Sequence, residues 1–430
     1  MGEAHAHRSR PVPWRLLPGS ARVGDDGWLA IGGCSTADLV AEFGTPLFVY
    51  DEDHLRARCR EAVATFGDGV SYASKAFLCL AMARLVHEEG MHIDVATGGE
   101  LHVALAAGVP AGRLVLHGNN KSEAELARAR QIGVGRTVVD SFDELDRLEH
   151  LHKDDGLVPQ VLLRATPGVE AHTHEFVQTG QIDSKFGFGV ASGDLARAVD
   201  RASSSPAVEL VGVHLHIGSQ VFVADFFRQA VDVVAPWVRD LDLPELSIGG
   251  GLGVPYVAGE EAPTLSQWGR VVIDACRDAG IRSHITAEPG RSIAAQAAVT
   301  LYEVGTIKDI PGVRTYLAVD GGMSDNPRPV LYGSGYEVFL PRAVGAARPR
   351  TVTVVGKHCE SGDLLVRDAR VPADVAVGDV LATPVTGAYG HSMGSNYNKV
   401  TRPPVVFVSG GDARLVVRRE TYDDLLRLDT

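Results

Sequence analysis

Between residues 46 and 290, short apolar, β-branched runs alternate with longer segments whose apolar positions recur at helical spacing. The strand-like runs are 47–50, 70–73, 92–95, 114–117, 137–140, 161–164, 211–214, 246–248 and 285–288. Helical patterns such as 122–132 and 141–152 fall between them. Ser122 and Glu125 have the spacing of a capping box, in which a hydroxyl accepts from an orphan amide and a carboxylate reaches back. Parallel strands need a crossover, so repeated strand–helix units predict a parallel sheet. About eight units favour a closed (β/α)8 barrel. The runs number one more than that, and the first, ending at Tyr50, is expected at a domain junction. A doubly wound open sheet is the alternative.

After residue 295 the rhythm changes. Runs at 298–304, 352–355, 380–382 and 405–408 are separated by Gly, Pro and Asp turns, with no long helical pattern between them. This reads as an antiparallel β domain. The opening segment has no barrel rhythm and is expected to join it. The expected division is therefore 1–45 as a tail with strands of the β domain, 46–295 as the barrel and 296–430 as the C-terminal β domain.

A length of 430 residues suits two domains, and 45% apolar residues suffice to bury their cores. A net charge of −13 argues against non-specific nucleic-acid binding, though a positive pocket can still exist inside a negative protein. The five cysteines show no CxxC spacing, which speaks against a disulfide scaffold or a zinc site and fits a cytoplasmic location. No run approaches 18 apolar residues, so no transmembrane helix is expected. Residues 1–10 are polar and lack an apolar signal core, as in a loose tail.

In a barrel, reactive groups collect at the C-terminal strand ends, and those ends are unusually polar here. Lys75 follows the second run. Burial at a barrel mouth would lower its pKa and make the amine nucleophilic, whereas a lone lysine reads first as solvated. The glycines of 249–251 would let backbone amides approach a phosphate, or form an ordinary turn. Glu288 closes the last run and Gly290 and Arg291 follow it, where barrels often bind phosphate; the alternative is a surface ion pair. His214 and His216 would face the same way on a strand, as a metal pair without an evident third ligand or as core and ring-stacking histidines. Cys359 reads as a buried thiol, and residues 386–393 as a connecting loop.

The order of these segments closely resembles that of the fold-type III pyridoxal-phosphate decarboxylases, from about residue 25 to the end. The matching segments are 72–76, 94–100, 117–121, 216–219, 249–251, 288–291, 359–360 and 387–389. Segments 174–180, 184–187 and 323–329, with Tyr332, resemble the diaminopimelate branch. His391 departs from it, since tyrosine is more usual there.

The resemblance implies pyridoxal 5'-phosphate held as a Schiff base on Lys75. Glu288 is then the partner of the ring nitrogen and favours decarboxylation over racemisation. His216 stacks on the ring. Ser219, the amides of Gly249, Gly250 and Gly251, Gly290, Arg291 and Tyr389 hold the phosphate. Arg291, Arg328, Tyr332, Glu360 and Tyr389 bind substrate, with Glu360 on the distal ammonium, and Cys359 returns a proton. No metal is implied. The β domain completes the site across a two-fold homodimer, with Lys185 and Asp363 as a cross-subunit ion pair. The implied reaction is decarboxylation of meso-2,6-diaminopimelate to L-lysine. A decarboxylase of another basic or carrier-linked amino acid is the alternative. A non-catalytic partner-binding relative is a third reading, against which Lys75, Glu288 and Cys359 stand together.

Overall fold

The computed structural model describes residues 14–169 and 184–430. The polar tail and the 174–180 segment lie outside the described residues. The chain divides into two units. A barrel unit comprises Arg56–Val254 and Glu261–Ile293, and a β unit comprises Met1–Leu55, Pro255–Glu260 and Ala294–Thr430.

The β unit opens with a small antiparallel sheet of β1 (Arg22–Val23), β2 (Leu29–Ile31) and β3 (Cys34–Ser35), followed by β4 (Leu47–Asp51). The barrel unit then supplies β5 (Ser71–Ala73), β6 (His92–Val95), β7 (Leu114–Leu116), β8 (Arg136–Val139) and β9 (Gln160–Thr166). The short β10 (Phe188–Gly189) pairs with β9, and β11 (Glu209–Leu215), β12 (Glu245–Ser247) and β13 (His284–Thr286) complete the series.

Apart from β10, the neighbours run β13-β12-β11-β9-β8-β7-β6-β5, all parallel. The ring closes where Ser71 N–H donates to Ala287 O at 2.9 Å and Ala73 N–H to Pro289 O at 3.3 Å. Eight strands form the ring, so the closed barrel holds and the surplus run lies elsewhere. Val115, Val138, Leu162 and Val211 form one apolar cluster. Two residues past the first three, on the same faces, come His117, Asp140 and Arg164, all buried. An apolar layer thus gives way to a polar one at the strand ends.

Local signals fix the helices. The Ser122–Glu125 capping box is present, and the helix Glu123–Ile132 stops at Gly133, whose φ of 73° suits a residue without a Cβ. Beside it Lys121 is buried, donating to Gly118 O, to Val138 O and to both oxygens of Glu144 at 2.8 and 3.0 Å. This pair ties the loop after β7 to the helix Phe142–Asp155.

The β unit resumes with β14 (Ala298–Ile310), β15 (Arg314–Val319), β16 (Arg350–Val355), β17 (Leu364–Val371), β18 (Val380–Pro384), β19 (Val405–Ser409) and β20 (Asp412–Val417). The order is β17-β16-β15-β14-β4-β19-β20, with β18 also on β14. The expected antiparallel sheet is in fact mixed: β15 and β16 run parallel, as do β4 and β19. A long connection through the helix Arg328–Tyr332 carries the chain back before β16, and β4 enters from the distant N-terminal side. The expected boundary at residue 45 moves for the same reason, because β4 is buried along its whole length within this sheet. Residues 255–260 also belong here, where Arg15 donates to Glu260 O at 2.6 Å. Among the described residues, no helix is long and apolar enough to cross a membrane. All five cysteines are free.

Candidate active site

At the C-terminal end of the barrel, Glu288 is buried just past β13. Its Oε2 lies 2.9 Å from His214 Nε2 and its Oε1 3.3 Å from His117 Nε2. Ser247 Oγ donates to Oε1 at 3.0 Å and itself accepts from Gly249 N–H. Burial alone would raise this carboxyl's pKa, but the two imidazoles outweigh it and hold the group well below the usual range. His117 also stands 3.5 Å from Asp94 Oδ1. Burial pushes Asp94 up to about 6, with His117 and Lys75 pulling the other way and Glu288 adding to the rise. The imidazolium form of His117 is disfavoured by burial yet favoured overall by Asp94 and Glu288. Burial keeps His214 neutral, with its pKa down at about 4.

The ligand atoms of His117, His214 and Glu288 lie within 4.8 Å of one another, a spacing a metal would accept. In this arrangement the carboxylate is hydrogen-bonded by His214 and lies in ion-pair reach of His117.

His214 and His216 do different work, because β11 ends between them. His216 Nδ1 accepts from Gly250 N–H at 3.3 Å, leaving Nε2 to carry the proton. Burial, then the charges of Lys75 and Arg164, hold it neutral. Gly249 has φ 64°, and a Cβ on it would come 2.1 Å from Leu215 O, so only glycine permits the turn. Two of the three amides expected for phosphate thus have partners here: Gly249 N–H on Ser247 and Gly250 N–H on His216. Arg291 donates to Ser219 Oγ at 2.8 Å. Gly290 packs so closely on β5 that a Cβ would meet Ala73 at 2.9 Å.

Lys75 sits in the turn Ser74–Ala76 after β5. It is exposed, as in the solvated one of the two readings and not the buried one. Its charge favours the ionised form of Asp94 and disfavours that of His216.

The barrel unit therefore brings together Lys75, His216, Ser219, Gly249, Gly250, Gly251, Glu288, Gly290 and Arg291. It adds Asp94, His117, Arg164 and Ser247, which sequence reasoning did not single out as site residues, and His214, which it read as half of a metal pair or as a core histidine. Their signal was a polar residue closing an otherwise apolar barrel strand.

The remaining expected residues belong to the β unit. Arg328 is buried, donating to Tyr336 Oη at 2.9 Å and Ser334 Oγ at 3.1 Å. Its guanidinium lies 4.1 Å from the Tyr256 ring centroid. Tyr332, at the end of the same helix, is half-buried. Tyr389 lies within electrostatic range of Arg328 and takes a φ of 61°, a strained setting for tyrosine. Cys359 and Glu360 lie exposed on the loop between β16 and β17, so the buried thiol expected by default is not found. Asp363 is buried on that loop and accepts from Met323 N–H at 2.7 Å and His358 N–H at 2.9 Å. Its oxygens fasten two segments of its own unit, a role that the expected pairing with Lys185 did not anticipate. Lys185 is exposed, 5.1 Å from the Phe186 ring centroid. His391 packs edge-on against Phe48, and burial lowers its pKa to about 4.

A buried carboxylate between imidazoles, with an amine, a glycine turn and an arginine–serine pair around the same barrel end, fits a planar pyridine aldehyde carrying a phosphate. Comparisons with known proteins agree. Residues 52–295 match the pyridoxal binding domain of pyridoxal-dependent decarboxylases. The chain is 48% identical over 424 residues to the diaminopimelate decarboxylase of Mycobacterium tuberculosis, covering 94% of this chain and 95% of that one. It is 45% identical over 430 residues to that of Bacillus subtilis, covering 96% and 98%. A crystal structure of diaminopimelate decarboxylase from M. jannaschii with L-lysine is similar at TM-score 0.88 and 32% identity, covering 96% of this chain and 98% of that one.

Proposed function

The chain belongs to the pyridoxal-dependent decarboxylases, and from that premise we propose how its residues carry out the reaction. It uses pyridoxal 5'-phosphate to convert meso-2,6-diaminopimelate to L-lysine and carbon dioxide, the last step of lysine biosynthesis. The observation that carries the assignment of roles is Glu288, a buried carboxylate held ionised between His117 and His214.

The bound cofactor supplies a sink for the electrons left on the α-carbon when carbon dioxide departs. That sink works with a protonated ring nitrogen, and the Glu288 carboxylate stabilises the proton there by its charge. Lys75 offers its amine for covalent attachment. The neutral His216 ring is suited to packing on an aromatic face. Arg291, Ser219 and the turn of Gly249, Gly250 and Gly251 take the phosphate, helped by Tyr389 and by the close approach that Gly290 allows.

Cys359 returns a proton to the α-carbon from its thiol. Arg291 and Arg328 read carboxylates, Tyr332 and Tyr389 assist, and Glu360 reads the distal ammonium. A substrate lacking the distal carboxylate leaves buried charge uncompensated and is rejected. The exposure of Cys359 and Glu360 on the β unit supports a homodimer in which each β unit serves the partner's barrel. Five free cysteines support a reducing, cytoplasmic setting.

Carbon dioxide release from meso-diaminopimelate, lysine, ornithine and arginine tests the substrate. Turnover confined to diaminopimelate is expected, and equal rates on all four would reject the reading of Arg328 and Glu360.

A further inference from the structure

We propose that His214, with His117 opposite it, is a positioning residue that fixes both oxygens of the Glu288 carboxylate in one orientation. The inference rests on the reading of Glu288 as the partner of the cofactor's ring nitrogen. A glutamate side chain is long and loses considerable rotamer freedom when it is ordered. Here His214 Nε2 lies 2.9 Å from Oε2 and Ser247 Oγ donates to Oε1 at 3.0 Å, while His117 Nε2 stands within ion-pair reach of Oε1 at 3.3 Å.

The clamp is itself braced. The two imidazoles pack edge to face with centroids 5.0 Å apart, so neither ring swings without displacing the other. Asp94 Oδ1, from a third strand end, stands 3.5 Å from the same His117 Nε2 that faces Glu288, so the two carboxylates share its charge. The other charges that bear on the cluster include Arg164, Lys75 and Glu100.

Barrel packing alone does not require this polar layer. The layer beneath it is filled by Val115, Val138, Leu162 and Val211, which close the interior without buried polar groups. Polar side chains at the next level carry a desolvation cost that apolar ones avoid. Their arrangement around one carboxylate is what an ionised group needs if it is to meet a cationic ring nitrogen without reorganising.

The test compares His214→Ala, His214→Gln and Glu288→Gln as cofactor-loaded enzymes, reading the absorbance of bound cofactor together with kcat and KM. Glu288→Gln is expected to change the spectrum and lower kcat. His214→Ala is expected to retain cofactor, change the spectrum in the same sense and lower kcat by about 10- to 100-fold. Its KM for diaminopimelate should stay within about twofold, since substrate binding is left intact. His214→Gln keeps an N–H donor at similar reach and should recover most of the loss. A wild-type spectrum and kcat in His214→Ala, or equal impairment in the Ala and Gln variants, would overturn the positioning role. An unchanged spectrum in Glu288→Gln would instead overturn the reading of Glu288 itself. If His214→Ala folds poorly, His117→Gln tests the clamp from the other oxygen: a milder spectral change supports it and an unchanged spectrum overturns it.

Discussion

Lys121 Nζ lies 2.8 Å from Glu144 Oε1, and both side chains are 2% exposed. Burial weakens each charge alone, lowering the pKa of Lys121 and raising that of Glu144, while each opposes the other's shift. Removing one partner strands the other in a low-dielectric interior. Lys121→Met is expected to destabilise the protein by about 3–5 kcal/mol, whereas Lys121→Met with Glu144→Leu should recover most of that. Urea denaturation of both variants measures the difference.

Asp325 supplies a pH signature. It is buried, accepts from Gly322 N–H at 2.6 Å, and burial raises its pKa to about 7 from 3.8. The unfolded chain gives up this proton near pH 4, and the folded chain keeps it until about pH 7. This group's stabilising effect is therefore complete below the unfolded pKa and is lost as pH rises to the folded one, at about 1.4 kcal/mol per unit. Asp325→Asn should match the wild type in Tm near pH 4 and exceed it at pH 8. A constant difference across that range would reject the shift.

Arg328 tests whether a planar cation is needed. Lysine keeps the charge but loses both the forked bonds to Tyr336 and Ser334 and the stack on Tyr256. Arg328→Lys should raise KM for diaminopimelate by about tenfold or more, the scale of one lost charge-assisted hydrogen bond. The absorbance of bound cofactor should not change. Steady-state kinetics with that spectrum separate substrate reading from cofactor binding.

Cys359 and Lys75 divide the reaction in opposite ways. Cys359→Ala should bind cofactor at Lys75 with its normal visible band while turnover slows by about 100-fold or more, as for loss of a general acid. Lys75→Ala should lose that band. Survival of the band in Lys75→Ala would reject the attachment point.

Much of the barrel was legible because its strands end in turns and its helices carry caps, both written locally. Ser122 and Glu125 meet as their spacing implies. The β unit was harder to read. Whether β15 meets β16 parallel or antiparallel depends on where a long connection returns, and no local pattern encodes that. Within the site, the ordered segments gave Lys75, Glu288 and the glycine turn. They gave less for His117 and Asp94, whose importance appears only when strands distant in sequence bring them to one carboxylate.

The place of β4 bears on how the chain is made. It lies between β14 and β19, so an early segment waits for partners translated after the entire barrel. The barrel, encoded in the interval, can acquire its core while synthesis continues. The sheet cannot be completed until Val405–Ser409 leaves the ribosome. Until then Leu47–Asp51, buried throughout in the finished protein, presents an apolar strand with at least one open edge, and protecting it is a task for whatever attends the nascent chain.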